Sequence, residues 1–473
     1  MSKYKRLGKN TILVFIGNVG SKSITFLMLP FYTEWLSVDD YGITDLITVY
    51  STLLLGIVTC CLSEAIFIFP KGRDHNKQKE YFSSGLFFSF VCILFAFLIF
   101  GIIRFIFTRN GIHNSFTSYA WIIYAFIVIT FLQMYVQQFS RSIDKIKVYA
   151  ISGIVLTLST VGLSFILIPK FGLYGYIYAQ LISLILSTLY TFVSSKSYLF
   201  LSINSIKKVS CKEMLKYSIP LIPNGVMWWM ISALNRPLME KELGIDAIGV
   251  FAVANKFPAI MAVILSVFFN AWQISVLEEF RKDGYSIFYN KVLKVAFSVL
   301  ILISCILILS SKYIITFFVD EKFYQAWLYI PVLTISILFI FVSGIAGTNF
   351  SASRESKYYF YSSVWGALSS IFFNFIFIKS YGIWGACISI ILSHAIMAIT
   401  RIKYSWQYVR IQKWYQYILM IIINSILVLT VVLDKDLIYK ILLMAILILY
   451  IILINRAEIV EIKKKLYCII NKK

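Results

Sequence analysis

Three basic side chains stand where a chain this apolar would be expected to carry none. Lys22, Arg236 and Lys256 interrupt long hydrophobic runs. An ionisable group in such a run costs a few kcal/mol or more unless it meets water, a partner or a ligand. Lys22 and Lys256 each fall roughly 15 Å from the start of their runs at a helical rise of about 1.5 Å per residue, beyond easy snorkelling reach. Arg236 lies nearer an end. Three cations at such depth suit an anionic ligand, above all a diphosphate, which Lys and Arg hold through charge-assisted hydrogen bonds. A site for hydrophobic cations would favour carboxylates.

Residues three and four apart share a helical face, and that spacing groups further polar residues with the cations. Asn18, Ser21, Lys22 and Thr25 form one stripe. Asp45, Thr48, Thr52 and Thr59 form a second, which runs on to Ser63 and Glu64. Asn224, Trp228, Ser232 and the pair Asn235-Arg236 form a third, and Asn255-Lys256, Ser266, Asn270 and Gln273 a fourth. The asparagines Asn18, Asn235, Asn255 and Asn270 can hydrogen-bond a polar ligand. Trp228, Trp229 and Trp272 lie close to these stripes and suit stacking on sugars. The pattern holds no catalytic constellation and no metal-ligand spacing. His394 reads as a neutral core histidine, Arg141 as an anchor at an inner helix end, and the cysteines as buried thiols.

The elements that must position these groups are membrane helices. The chain has 60% hydrophobic and only 14% charged residues, with a mean hydropathy of +0.82, where a soluble domain carries about a quarter charged residues. Apolar runs of about 20 residues recur from Thr11 to Asn455, each long enough to cross a hydrocarbon core roughly 30 Å thick. Fourteen are expected, the seventh starting near Met214 and the eighth near Asp246. The segment before Thr11 lacks a small-residue cleavage site, so the first run reads as a retained helix. With an even number of crossings both ends lie on one side. Placing them in the cytoplasm puts Lys and Arg inside rather than outside by roughly three to one, as the positive-inside rule requires. The net charge of +22 is then spread over many loops, which points to anionic lipid and not to nucleic acid.

The chain also repeats itself weakly. Leu36-Ser37-Val38-Asp39-Asp40-Tyr41-Gly42 aligns with Leu243-Gly244-Ile245-Asp246-Ala247-Ile248-Gly249, between a first and a second helix. Phe171-Gly172-Leu173-Tyr174-Gly175-Tyr176 aligns with Tyr381-Gly382-Ile383-Trp384-Gly385-Ala386, between a fifth and a sixth. An offset of six helices keeps the orientation, so the copies are parallel repeats related by an axis along the membrane normal. The expected fold is an all-α polytopic bundle: an N-lobe at 1–210, a C-lobe at 211–411, a central cavity between them, and two extra helices with a basic tail at 412–473. Such a design suits alternating access, with Asp45 and Glu64 as the candidates for coupling to H+ or Na+.

Several of these segments resemble the polysaccharide-exporting branch of the multidrug/oligosaccharidyl-lipid/polysaccharide (MOP) superfamily. They are Leu29-Pro30-Phe31-Tyr32 through Asp40-Tyr41-Gly42, Asn235-Arg236, Gly249 to Lys256, Ala271-Trp272, and Lys357 to Ala395 with Asn374 and the run Ile378 to Ala386. The resemblance covers nearly the whole chain and rests on the order of these motifs. It implies a flippase that moves undecaprenyl-diphosphate-linked oligosaccharide, the repeat unit of O-antigen or capsule, across a bacterial inner membrane. It also implies a cationic cavity, mapped here onto Lys22, Arg236 and Lys256, and partners such as a polysaccharide polymerase and a chain-length regulator. The chain departs from the family pattern twice. Asn235 stands where an aspartate often precedes the arginine, and Ile274-Ser275 where a proline often follows the tryptophan.

Two other functions compete. A drug or organic-cation antiporter of the same superfamily would want an acidic cavity. A membrane glycosyltransferase or polymerase would want a clustered acidic motif or a large outer loop, and neither is present. The chain has no phosphate-binding glycine loop, so ATP is not its direct energy source, and no cofactor is expected.

Overall fold

In the computed structural model, residues 24, 26–112, 114–458 and 460 are described; among them there are helices and no strand. Ten helices are long and apolar enough to cross a membrane. The chain divides into two compact units, Met1–Ala252 and Val253–Lys473.

The first unit opens with α1 (Leu29–Trp35) and α2 (Val38–Val58). Ser37 starts α2 through a capping box: its Oγ accepts from the Asp40 amide at 3.0 Å, and the Asp40 carboxylate accepts from the Ser37 amide at 3.3 Å. Such a cap contributes about 1 kcal/mol. Left-handed Cys60 and Cys61 end that helix and redirect the chain into α3 (Leu62–Ile68). There follow α4 (His75–Arg109), the single turn α5 (Ser115–Ser118), α6 (Ala120–Ser142) and α7 (Ile146–Ser194). Leu62 and Ile66 of α3 pack with Phe82 of α4 and Phe131, Tyr135 and Phe139 of α6 in a fully buried cluster.

The run expected as one helix from Met214 is broken into α8 (Lys208–Ser218), α9 (Leu221–Ser232) and α10 (Asn235–Leu243). Its prolines explain this. Pro237 has no amide hydrogen to give the carbonyl of Ala233, and its ring crowds that carbonyl. The chain therefore leaves the helix at Ala233, where φ is −133°. Helix α11 (Ile245–Glu279) begins in the first unit and continues into the second.

The second unit adds α12 (Tyr285–Phe318), α13 (Ala326–Ser353), α14 (Ser356–Ser405), α15 (Trp414–Val432) and α16 (Leu437–Ile454). Helix α13 is its axis: most of its apolar stretch is buried, and α12, α14 and α15 pack around it. The last two helices are tied to α12 by polar contacts. Ser304 donates to Asn424 at 3.2 Å, Asn455 donates to Ser298 at 2.9 Å, and Lys294 lies 2.5 Å from Glu458.

Two long helices, α7 and α14, each fold back on themselves at a glycine. Gly172 has φ 53°, ψ −126°, and Gly382 has φ 58°, ψ −133°, a region open essentially to glycine. Past the turn the halves pair: Ser187 Oγ donates to the Ser152 carbonyl at 3.0 Å, and Arg401 Nε to Ser362 Oγ at 3.0 Å. Each of the two helices therefore supplies two crossings. The same strained conformation at positions 210 residues apart is the internal repeat expressed in backbone geometry.

A second repeat feature lies wholly in the first unit, where the starts of α2 and α11 touch. A Cβ on Gly42 would lie 2.6 Å from the Ile245 carbonyl oxygen, and one on Gly249 would lie 2.1 Å from the Val38 carbonyl oxygen. Only glycine permits this approach.

Candidate functional site

The break between α9 and α10 places Arg236. The last carbonyls of α9 have no intrahelical partner, and the Arg236 guanidinium answers one of them: Nη1 donates to the Ser232 carbonyl. The same nitrogen donates to Asn235 Oδ1 at 2.8 Å, and Nε reaches Asp45 Oδ2 of α2 at 3.3 Å. The ring of Phe251 lies 4.7 Å beneath the guanidinium carbon. Arg236 is 4% exposed and Asn235 1%, so this is a desolvated cation whose charge is met by one carboxylate. Among the described residues Asn235 Nδ2 has no hydrogen-bond acceptor.

Neighbouring contacts hold the broken segment against α2. The Trp229 indole donates to the Val49 carbonyl at 2.9 Å, and Tyr50 donates to Glu240 at 3.2 Å. The other Glu240 oxygen accepts the Ser115 amide at 2.5 Å. Irregular backbone at membrane depth is tolerated where it is buried in protein or lines a polar cavity, and half-helix ends of this kind form ion sites in transporters.

Two residues assigned separate tasks from the sequence, Arg236 for substrate and Asp45 for coupling, are thus in contact. The carboxylate missing at position 235 is supplied by Asp45 from another helix. Glu64, on α3 beyond the far end of α2, is exposed and belongs to neither. Trp228 is half-buried on α9.

In the second unit the polar residues of α11 lie at its surface. Lys256, Ser266, Asn270 and Gln273 are exposed and Asn255 is half-buried. Trp272 lies on another flank: it is 3% exposed, donates to Thr348 Oγ1 at 3.0 Å, and stacks on Phe288 at 5.6 Å between centroids. That places it in the packing of the second unit and not on the stripe. Lys22 and Asn18 lie outside the described residues. His394 is buried, and Arg141 stands 4.2 Å over the ring of Phe67.

Sequence reasoning passed over three groups. Glu240 lies one helical turn after Arg236 and was signalled by that spacing alone. Tyr50 carried no signal. Arg401, 1% exposed, donates to Ser362 and Ser363 and lies 4.4 Å over Tyr359; the fold-back at Gly382 brings these together.

A family model described as "Polysaccharide biosynthesis protein" matches residues 7–274, more than half the chain, including Asp45, Asn235, Arg236 and Lys256. The chain belongs to the polysaccharide biosynthesis protein family. No curated protein matches it in sequence. Solved structures share the fold of this polysaccharide biosynthesis protein. The lipid II flippase MurJ, in an inward closed conformation, aligns with a TM-score of 0.70 at 16% identity over 95% of this chain and 100% of that one. An inward-facing multidrug resistance MATE family transporter of the MOP superfamily aligns at 0.61 and 14% identity, over 82% and 94%. A MOP superfamily transporter from Pyrococcus furiosus, described by the reverse polarity of its binding pocket, aligns at 0.55 and 13%, over 84% and 95%. The polysaccharide biosynthesis protein is therefore a multi-pass membrane protein with the fold of the MOP superfamily transporters.

Proposed function

We propose that this protein is a flippase for lipid-linked oligosaccharides, moving undecaprenyl-diphosphate-linked repeat units of O-antigen or capsule across a bacterial inner membrane, with both termini in the cytoplasm. The observation that carries the reading is the buried Arg236 seated at a helix break. Its guanidinium is a buried cation held by the Asp45 carboxylate, an anion-binding group that a diphosphate can engage in place of Asp45. The sequence adds Lys256 and Lys22 as further cations, Asn235, Asn255, Asn270 and Asn18 as hydrogen-bonding groups, and Trp228 for contact with sugars.

In this mechanism Asp45 is the resident counterion of Arg236, and the substrate diphosphate competes with it. Loading frees the Asp45 carboxylate, which takes up H+ or Na+; unloading restores the ion pair. Each state keeps Arg236 compensated, so an uncompensated buried charge, worth about 3–5 kcal/mol, never arises. A polymerase and a chain-length regulator would act on the product.

The cation-antiporter reading draws on the MATE likeness, but that fold is common to both functions, and the Asp45 carboxylate that meets the broken helix from α2 already faces an arginine. The deciding experiment is complementation of a flippase-null strain. Arg236→Ala, Lys256→Ala and Lys22→Ala, expressed at wild-type level, should fail to restore polysaccharide. Restoration by all three would overturn the proposal, and drug resistance conferred by the wild-type chain would replace it with the antiporter.

A further inference from the structure

The segment from Ser195 to Ser218 joins α7 to α9 and shows an unusual combination of exposure and fixation. Two 3-10 turns, Ser197–Phe200 and Ile203–Ser205, precede α8. Phe200 is the buried anchor, packed on His75 at 4.6 Å and Phe139 at 5.0 Å. Two serines of α4 then hold the backbone. Ser83 Oγ donates to the Phe200 carbonyl at 2.7 Å and accepts from the Ser202 amide at 2.9 Å, and Ser84 Oγ accepts from the Lys207 amide at 2.8 Å. Tyr81 donates to Glu213 at 2.7 Å, and Ser210 bonds Glu80. A loop fixed at this many points cannot turn its apolar side chains inward.

Those side chains point out. Ile203 is 86% exposed and Val209 69%, with Leu199, Leu201 and Tyr198 also exposed. Along the same segment Lys196, Lys207, Lys208, Lys212 and Lys216 are exposed as well. Exposed apolar side chains flanked along the chain by exposed lysines match what an anionic bilayer surface binds: hydrocarbon for the apolar groups, phosphate for the lysines.

We propose that this segment is a built lipid-binding foot, which seats Ile203, Leu201 and Val209 among the glycerol and acyl groups of an anionic leaflet while the lysines hold phospholipid headgroups. The inference is independent of the transported substrate. Because Ser83 and Ser84 couple the foot to α4, anionic lipid fixes the first unit at one depth in the membrane.

Hydrogen exchange of the full chain in lipid nanodiscs tests this, comparing phosphatidylcholine alone with a mixture containing phosphatidylglycerol. Each lysine near an anionic surface contributes roughly a fivefold factor. Amides at 199–206 should therefore exchange at least about tenfold more slowly in the anionic discs, with the difference lost in high salt. Lys207→Ala/Lys208→Ala/Lys212→Ala should abolish the difference, as should Ile203→Asp, while α4 amides stay unchanged and report an intact fold. Equal exchange in the two lipids overturns the proposal. So does protection that appears in native membranes but in neither nanodisc, which would assign the surface to a protein partner.

Discussion

Replacing Asp45 tests whether the site is a working ion pair. At 3.3 Å, two unit charges attract by about 5 kcal/mol at an effective dielectric near 20, a gain that desolvation of both groups largely offsets. Asp45→Ala removes the attraction without restoring water to Arg236, which is 4% exposed, so it should cost about 3 kcal/mol. Asp45→Asn keeps an acceptor oxygen near Nε and should cost nearer 1–2 kcal/mol. Arg236→Ala also uncovers the Ser232 carbonyl, so single variants do not isolate the pair. A double-mutant cycle does: Asp45→Ala, Arg236→Ala and the double variant, compared by equilibrium unfolding in mixed micelles, should give a coupling energy of about 1.5–3 kcal/mol. Additive effects, with coupling below about 0.5 kcal/mol, would refute the pairing and with it the exchange of counterions proposed for transport.

The two fold-back glycines should respond alike: Gly172→Ala and Gly382→Ala each force a Cβ into a strained conformation and should lower stability by about 1–3 kcal/mol, read from melting in detergent. At the α2–α11 contact, Gly249→Ala sets a Cβ 2.1 Å from the Val38 carbonyl and should cost about 1–3 kcal/mol; an unchanged melting temperature would deny the close approach. Lys256→Ala should leave melting unchanged, since Lys256 is exposed with no ion pair among the described residues, while abolishing export in the null strain. Trp272→Phe should lose the bond to Thr348 and about 0.5–1.5 kcal/mol of stability, with the range of exported sugars unaltered.

The membrane class, the helical architecture and the repeat were legible in the sequence because each rests on a local pattern. Apolar run length betrays a crossing, and Gly172 and Gly382 betray a fold-back because few other residues tolerate that backbone. The Arg236 neighbourhood was half legible. An arginine within an apolar run signals itself, but its carboxylate lies 191 residues away on another helix, and Asp45 drew attention for a different reason. The break in the seventh crossing was written in Pro237, and hydropathy hid it because α9 is apolar on average despite Asn224 and Ser232. Trp272 shows the opposite error. Sequence proximity to Asn270 and Gln273 suggested a shared face, whereas the helical turn between them carries its indole round to Thr348.

The glycine contact between α2 and α11 has an evolutionary consequence. A shift of 207 residues turns Val38 into Ile245 and Gly42 into Gly249, so the touch of Gly42 on Ile245 becomes the touch of Gly249 on Val38. That reciprocity defines an isologous interface, the kind through which two identical chains dimerise. A half-length ancestor would have met its twin here, glycine against backbone, across a two-fold axis. Within this one polypeptide each half of that reciprocal contact depends on its own glycine, Gly42 or Gly249.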